Sequence, residues 1–397
     1  MAEQKSMKIS MNCILACVYF LLLPTTIAIN SAGNSYLKLA TIPIAGYCLI
    51  SIVFSKKPLH FNVVHLLLCV YTVSTLLTLF VKSDNSSVYA VTGYFLNAAL
   101  YLCLTVFPYN EREIAWLENT QIILLVILVG ITLFFGGTED DRTTLVLFGQ
   151  TSDPNYFVGY FLFPVAVTLK KIMESRWRIL YVLLAIVGIY CVFLTGSRGG
   201  LIAIIVMFAA FALIYPTVFK TRILVLLVGM TILLLAWFIA VPFLPENIVE
   251  RMSLESIIES GGTGRWGIWV SMSEEIVNSP DELLFGRGIV ARHLMLKKGE
   301  YLKVFAHSQY VQVLYNQGIV GLMMFLTLTV GCILRCIKKR KTVSIAIIGM
   351  MALSISLSFN QTTRTFWNLV AYAAMVFPES QDLRSAVNFE LPEEAES

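Results

Sequence analysis

Charged side chains are scarce in this chain: Lys, Arg, Asp and Glu make up 14% of its 397 residues, against 57% apolar. A soluble domain needs roughly 25% charged residues to cover its surface, so that class is excluded. Histidine is rarer still, at four residues. The eight cysteines all fall inside apolar runs or close to the basic loops, so the sequence holds no disulfide framework. No Cys/His spacing suits zinc, and no basic-aromatic stripe points to nucleic acid. No cofactor or metal is expected. A long polar interval is missing too, with one exception between about Val241 and His307.

What the chain does have is membrane-spanning apolar runs, each near the roughly 20 residues that a bilayer core requires. They are Met11 to Ile29, Tyr36 to Phe54, Phe61 to Phe80, Val88 to Phe107, Asn119 to Phe135 and Pro154 to Leu169. Ile179 to Leu194, Gly200 to Ile214, Ile223 to Val241, Ser308 to Leu334, Val343 to Phe359 and Thr365 to Phe377 follow, about twelve in all. Such long continuous runs predict helices, since barrel strands are shorter and alternate. The first run lacks a convincing cleavage site and is read as retained. Lys56, Lys57, Lys170, Lys171, Arg176, Arg178, Lys220, Arg222 and the 335–341 cluster fall on one side of the alternating topology. Lys82, Arg142, Arg198 and Arg364 fall on the other. By the positive-inside rule both termini are cytoplasmic. The expected division is helices one to nine in 1–241, an extracytoplasmic loop in 242–307, helices ten to twelve in 308–377 and an acidic tail in 378–397.

Candidate chemistry gathers on the outer side. Asp153-Pro154-Asn155 is a helix-start signal: Asp caps free N–H groups and Pro fits the first turn. That role alone explains Asp153 and Asn155. In Thr195-Gly196-Ser197-Arg198-Gly199-Gly200, Ser197 can cap the next span, which leaves Arg198 at a helix N-terminus. The helix dipole, the free N–H groups and a guanidinium fork all favour an anion there. The glycines remove side chains that would block its approach. Headgroup snorkelling is the ordinary alternative for Arg198, and equally for Arg364.

Within the long loop, Glu246 to Ser260 reads as an amphipathic surface helix. A glycine run breaks it, and a second helix runs from Arg265 to about Asn278, with Trp266 and Trp269 suited to a membrane interface. A turn at Ser279-Pro280-Asp281, Phe285-Gly286-Arg287-Gly288 and a basic stretch from Arg292 to Lys303 lead to His307. His307 titrates near neutrality and can take a proton from a hydroxyl; a capping histidine is the ordinary alternative. Its company of Arg198, Arg265, Arg287 and Arg364 suits a diphosphate leaving group.

These segments resemble the O-antigen ligase and polysaccharide polymerase superfamily, which includes Wzy-type polymerases. The matching elements run from Asp153-Pro154-Asn155-Tyr156-Phe157 through Thr195–Gly200, Gly264-Arg265 with Trp269, and Phe285–Gly288. They end in His307-Ser308-Gln309-Tyr310 followed by Gly318-Ile319-Val320-Gly321-Leu322. The chain departs from the pattern in Ser308, where Asn is commonest, and in the loop cations, which leaves Arg287 and Arg292 open as substrate contacts. The resemblance implies an all-α, GT-C-like integral membrane fold in the bacterial cytoplasmic membrane, with its site on the outer face. It implies a metal-independent glycosyltransferase acting on undecaprenyl-diphosphate-linked oligosaccharide and a glycan acceptor. His307 would be the base, Arg198 and Arg265 the diphosphate clamp, with Arg287 and Arg364 as further candidates. Asp153, Asn155, Ser197 and Tyr310 would be accessory.

A polymerase of capsule, O-antigen or similar glycan is the leading expectation, with membrane lipids and other assembly proteins as partners. A ligase transferring finished glycan to a lipid or protein shares the same chemistry. A glycan-lipid transporter or flippase is the alternative from another class. The spans hold few ionisable residues and show no matching halves, which disfavours transport.

Overall fold

The computed structural model describes residues 9–27, 36–54, 63–77, 106–107, 109–139, 142–147, 150–151, 153–216, 218–244, 246–253, 255–256, 265–288, 293–297, 300–339 and 341–357. Among these the architecture is an α-helical bundle. Its helices are α1 (Met11–Leu21), α2 (Tyr36–Phe54), α3 (Val63–Leu77), α4 (Glu111–Phe134), α5 (Pro154–Glu174), α6 (Arg178–Leu194), α7 (Arg198–Ile214) and α8 (Phe219–Ala240). Short α9 (Glu246–Met252), α10 (Arg265–Val277) and α11 (Pro280–Phe285) precede α12 (Gln309–Lys339) and α13 (Lys341–Leu353).

Ten of the twelve expected spans contain a described helix. The fourth lies outside the described residues save for Val106 and Phe107, and the twelfth lies wholly outside, as do Arg364 and the acidic tail. Among the described residues, four helices are long and apolar enough to cross a membrane: Glu111–Phe134, Pro154–Glu174, Phe219–Phe243 and Gln309–Lys338. The shorter apolar helices fill out a multi-pass bundle. α4 begins two turns before the expected Asn119, because a capping box organises its polar start. The Asn110 side chain accepts from the Glu113 amide at 3.0 Å, and Glu113 Oε2 accepts from the Asn110 amide at 2.9 Å.

α5 is the axis of the bundle. It packs against α4, α6, α7 and α13, and Phe157 to Thr168 are buried without a break. A helix that is apolar all round suits such a central place, as it suits a lipid-facing one. α8 is the opposite case: it packs against α6 and α7, while Phe219, Leu227 and Phe238 stay exposed. An apolar face of that kind is stable against lipid rather than water. At the basic end of α5, Lys170 donates to both carboxylate oxygens of Glu118 on α4, at 2.7 and 2.8 Å. The pairing offsets much of the desolvation of both charges.

Three pieces of the loops differ from expectation. The helix from Glu246 ends at Met252 and helix resumes at 255–256, while residues 257–260 lie outside the described residues. Ser253 Oγ accepts from the Ser256 amide at 3.1 Å, the bond by which a serine caps the start of a new helical turn. The turn at Ser279-Pro280-Asp281 opens the short helix α11, with Pro280 in its first turn. The basic stretch contains an antiparallel hairpin, β5 (His293–Lys297) with β6 (Glu300–Val304), in which His293 pairs with Val304 and Lys297 with Glu300. Two smaller hairpins, β1 (Gly137–Glu139) with β2 (Arg142–Thr144) and β3 (Val146–Leu147) with β4 (Gln150–Thr151), lie between α4 and α5.

Candidate active site

The α5 and α7 caps meet at one end of the bundle and are wired together. Asp153 Oδ1 accepts from the Asn155 amide at 2.7 Å and from Asn155 Nδ2 at 2.8 Å. Asn155 Oδ1 accepts in turn from Ser197 Oγ at 2.8 Å, and Ser197 Oγ caps α7 by accepting from the Gly200 amide at 3.1 Å. Arg142 of β2 closes the group. It donates from Nε to the Thr195 carbonyl at 2.8 Å and from Nη2 to Asn155 Oδ1 at 3.1 Å. Gly196 turns the chain with φ of +58°, leaving Arg142 room beside it. The expected capping by Asp153 and Ser197 is therefore present. Arg142, which the sequence marks only as an outer cation, ties the two motifs to each other.

Arg198 begins α7 and donates from Nη2 to Ser256 Oγ at 2.8 Å. Arg265 begins α10 and donates from Nη1 to the Ser356 carbonyl, just beyond α13, at 2.7 Å. The two arginines are linked through that same segment. A Cβ on Gly199 would stand 1.7 Å from Ser356 Oγ, and one on Gly200 would stand 2.8 Å from Val158 of α5. Here the glycines serve close packing of α7 on α13 and α5, a different use from the anion approach expected of them. Packing is what puts Arg198 and Arg265 on one rim.

His307 sits on this rim, immediately before α12. It is the sole non-glycine residue with positive φ among the described residues, at +49°. A left-handed histidine is uncommon, and its neighbours hold it there. The amide of Ala306 donates to Gln312 Oε1 at 2.9 Å, and its carbonyl accepts from Trp269 Nε1 at 2.6 Å. On the other side the Gln309 amide donates to the Ser354 carbonyl at 2.8 Å. Buried Gln309 also leaves its Oε1 without a hydrogen-bond partner, a polar atom two residues from His307. The outer edge of the imidazole is exposed, yet the protein around it and then the Arg265 cation lower its pKa from 6.5, while Asp153 pulls it back up. The ring is thereby kept neutral at neutral pH, as a proton acceptor must be.

Tyr310 faces α13, donating to the Met351 carbonyl at 2.9 Å, and so locks the start of α12 in place. Arg287 belongs to a separate cluster. It pairs with Glu275 and, from Nε, with Glu282 at 3.2 Å, and it donates to the Tyr315 hydroxyl at 3.0 Å. No described contact joins it to Arg198, Arg265 or His307. Beneath it two glycines let backbones touch. Gly286 has φ of +75° and Gly318, at a break inside α12, has φ of +67°. A Cβ on Gly286 would fall 2.3 Å from the Asn316 carbonyl carbon, and one on Gly318 would fall 2.3 Å from Leu284. The break frees carbonyls that the turn then uses: the Arg287 amide donates to Tyr315 O and the Gly288 amide to Asn316 O, both at 2.9 Å.

The assembled rim holds a left-handed histidine within electrostatic reach of Arg265 and Asp153, and a capped helix N-terminus that carries an arginine. Such a rim can accept a proton and hold an anionic group. Residues 158–326 match the family model described as O-Antigen ligase. The match starts inside α5 and ends inside α12, taking in Arg198, Arg265, Arg287 and His307. It supports placing the chain in the O-antigen ligase and polymerase superfamily, a class of glycosyltransferases that work on lipid-linked glycans in a membrane. No curated protein matches the chain.

Proposed function

We propose that this protein polymerises undecaprenyl-diphosphate-linked oligosaccharide units into a surface polysaccharide, at the outer face of the bacterial cytoplasmic membrane. The observation that carries this reading is His307, held in a left-handed conformation by the anchors of Ala306 on Trp269 and of Gln309 on Ser354, with Arg265 bonded to Ser356 of that same turn.

In this mechanism the acceptor hydroxyl oxygen attacks the anomeric carbon of the donor. Its proton goes to the neutral imidazole of His307. The bond from the anomeric carbon to the diphosphate oxygen breaks, and the electron pair leaves with the diphosphate. Arg198 and Arg265, with the dipole of α7, stabilise that departing charge. Arg364 joins the clamp in this reading. Arg287, already matched by two carboxylates, holds α10 and α11 to α12. Asp153, Asn155, Ser197 and Tyr310 position the base and the clamp, and the termini lie in the cytoplasm.

Mass spectrometry of lipid-linked glycans tests this in cells lacking the protein and in cells carrying only His307→Ala. Accumulation of single repeat units on the carrier, with loss of long polymer, is the expected result. Long polymer retained on the carrier would instead identify a ligase. Unchanged glycans in both strains would overturn glycosyl transfer altogether.

A further inference from the structure

α10 has two faces, and the site uses one of them. Ile268, Trp269, Met272 and Ile276 pack on Ala306, Val311, Leu314 and Tyr315, which seats the helix on the start of α12. The other face carries Trp266, Val270, Ser273 and Glu274 and continues to Asn278, one and two turns apart, as helical spacing requires. With Trp269 at its border this face forms an open groove enclosing about 420 Å³. That is within the range of small-molecule sites.

We infer that this groove binds the sugar chain of the acceptor glycan, an inference that rests on the glycosyl-transfer reading above. Three features favour a sugar over a lipid surface. First, Trp266 stands 68% exposed and Trp269 lies beside it, ring centroids 6.3 Å apart and planes at 59°, so the exposed Trp266 ring forms one aromatic side of a corner. The apolar C–H face of a pyranose stacks on such a ring, and its hydroxyls need polar partners at the edge. Second, Ser273, Glu274 and Asn278 supply those partners along the same groove. A carboxylate set among the tryptophans is costly against lipid tails and repelled by anionic headgroups. Third, the groove borders the site through Trp269. Its border residue Trp269 spends its indole N–H on the Ala306 carbonyl, next to His307, and the first residue of its helix is Arg265. A glycan lying along α10 therefore ends where its terminal hydroxyl meets the base.

The test uses the purified full chain in nanodiscs and the oligosaccharide released from the carrier lipid of cells lacking the protein. Without diphosphate this sugar bypasses the clamp, and calorimetry reads the groove alone. Trp266→Ala and Trp266→Leu are expected to weaken binding about tenfold, and Trp266→Tyr to recover most of it, because the flat ring is what stacks. Glu274→Gln is expected to weaken it about threefold, through loss of a charged acceptor. Unchanged affinity in Trp266→Ala, no binding by the unsubstituted protein, or recovery by Leu equal to that by Tyr would each overturn the proposal. The glycosyl-transfer reading fails separately, through a productive His307→Ala protein, so the two failures are distinct.

Discussion

Two of the places where the loop between α8 and α12 is fastened to the bundle are built in opposite ways. At Arg287 the fastening is closed: a cation matched by Glu275 and Glu282, and two backbones in contact through Gly286 and Gly318. At His307 it is held open: an exposed left-handed residue, with anchors on either side at Ala306 and Gln309. Matched charges and glycine contacts fix a position. A strained, exposed residue keeps chemistry available, and strain of that kind persists only where neighbouring anchors impose it.

The largest effect on the contrast should come from the closed fastening. Gly286→Val puts a branched side chain at φ of +75° into the α12 backbone. That costs about 1–2 kcal/mol for the conformation and about 1–3 kcal/mol for the clash. Loss of folded protein from the membrane, followed by fluorescence-detected size-exclusion chromatography, is the expected result. A fully folded variant would contradict the intercalated backbones.

His307→Ala should do the reverse. Folded protein stays at its normal level, while the transfer rate falls on the order of 10²- to 10⁴-fold, read as product per minute from purified lipid-linked donor. Arg198→Lys should lower the same rate on the order of 10²-fold, because a point charge loses the planar fork.

A smaller and more diagnostic effect lies in the pH profile. The base works as neutral imidazole, so the rate falls as pH drops through the lowered pKa of His307. Arg265→Gln removes a cation that lowers this pKa, so the acid limb should move to higher pH. Asp153→Asn removes an anion that raises it, and the limb should move to lower pH. Equal profiles in all three proteins would remove His307 from the rate-limiting proton transfer. The smallest effect expected is that of Tyr310→Phe, which gives up one hydrogen bond to Met351, about 1 kcal/mol of stability by thermal melting.

Much of the scaffold was legible beforehand. α5 and α7 begin at Pro154 and Arg198, where Asp153 and Ser197 announce a cap, and α10 starts at Arg265 as its glycine break implies. Caps, apolar runs and breaks act within a few residues, so one stretch of chain holds the whole cause. The basic hairpin was missed because its two-residue connection, Lys298-Gly299, has a glycine but lacks the Asn, Asp or Gly before it that marks a tight hairpin. The interruption at Ser253 was missed because the apolar spacing of Ile248, Met252, Ile257 and Ile258 runs straight through it.

The candidate site was legible as a set of residues but not as an arrangement. Sequence alone settled that the chain is an apolar helical bundle with its unusual cations and one histidine at the ends of spans, because hydropathy and charge follow from composition and order. Only the tertiary structure decided that Arg287 is matched by carboxylates while Arg265 bonds Ser356, that Arg142 joins two caps, that Gly199 admits Ser356, and that Trp269 anchors Ala306. Each of those contacts joins residues far apart along the chain, and such partners become defined only when the helices pack.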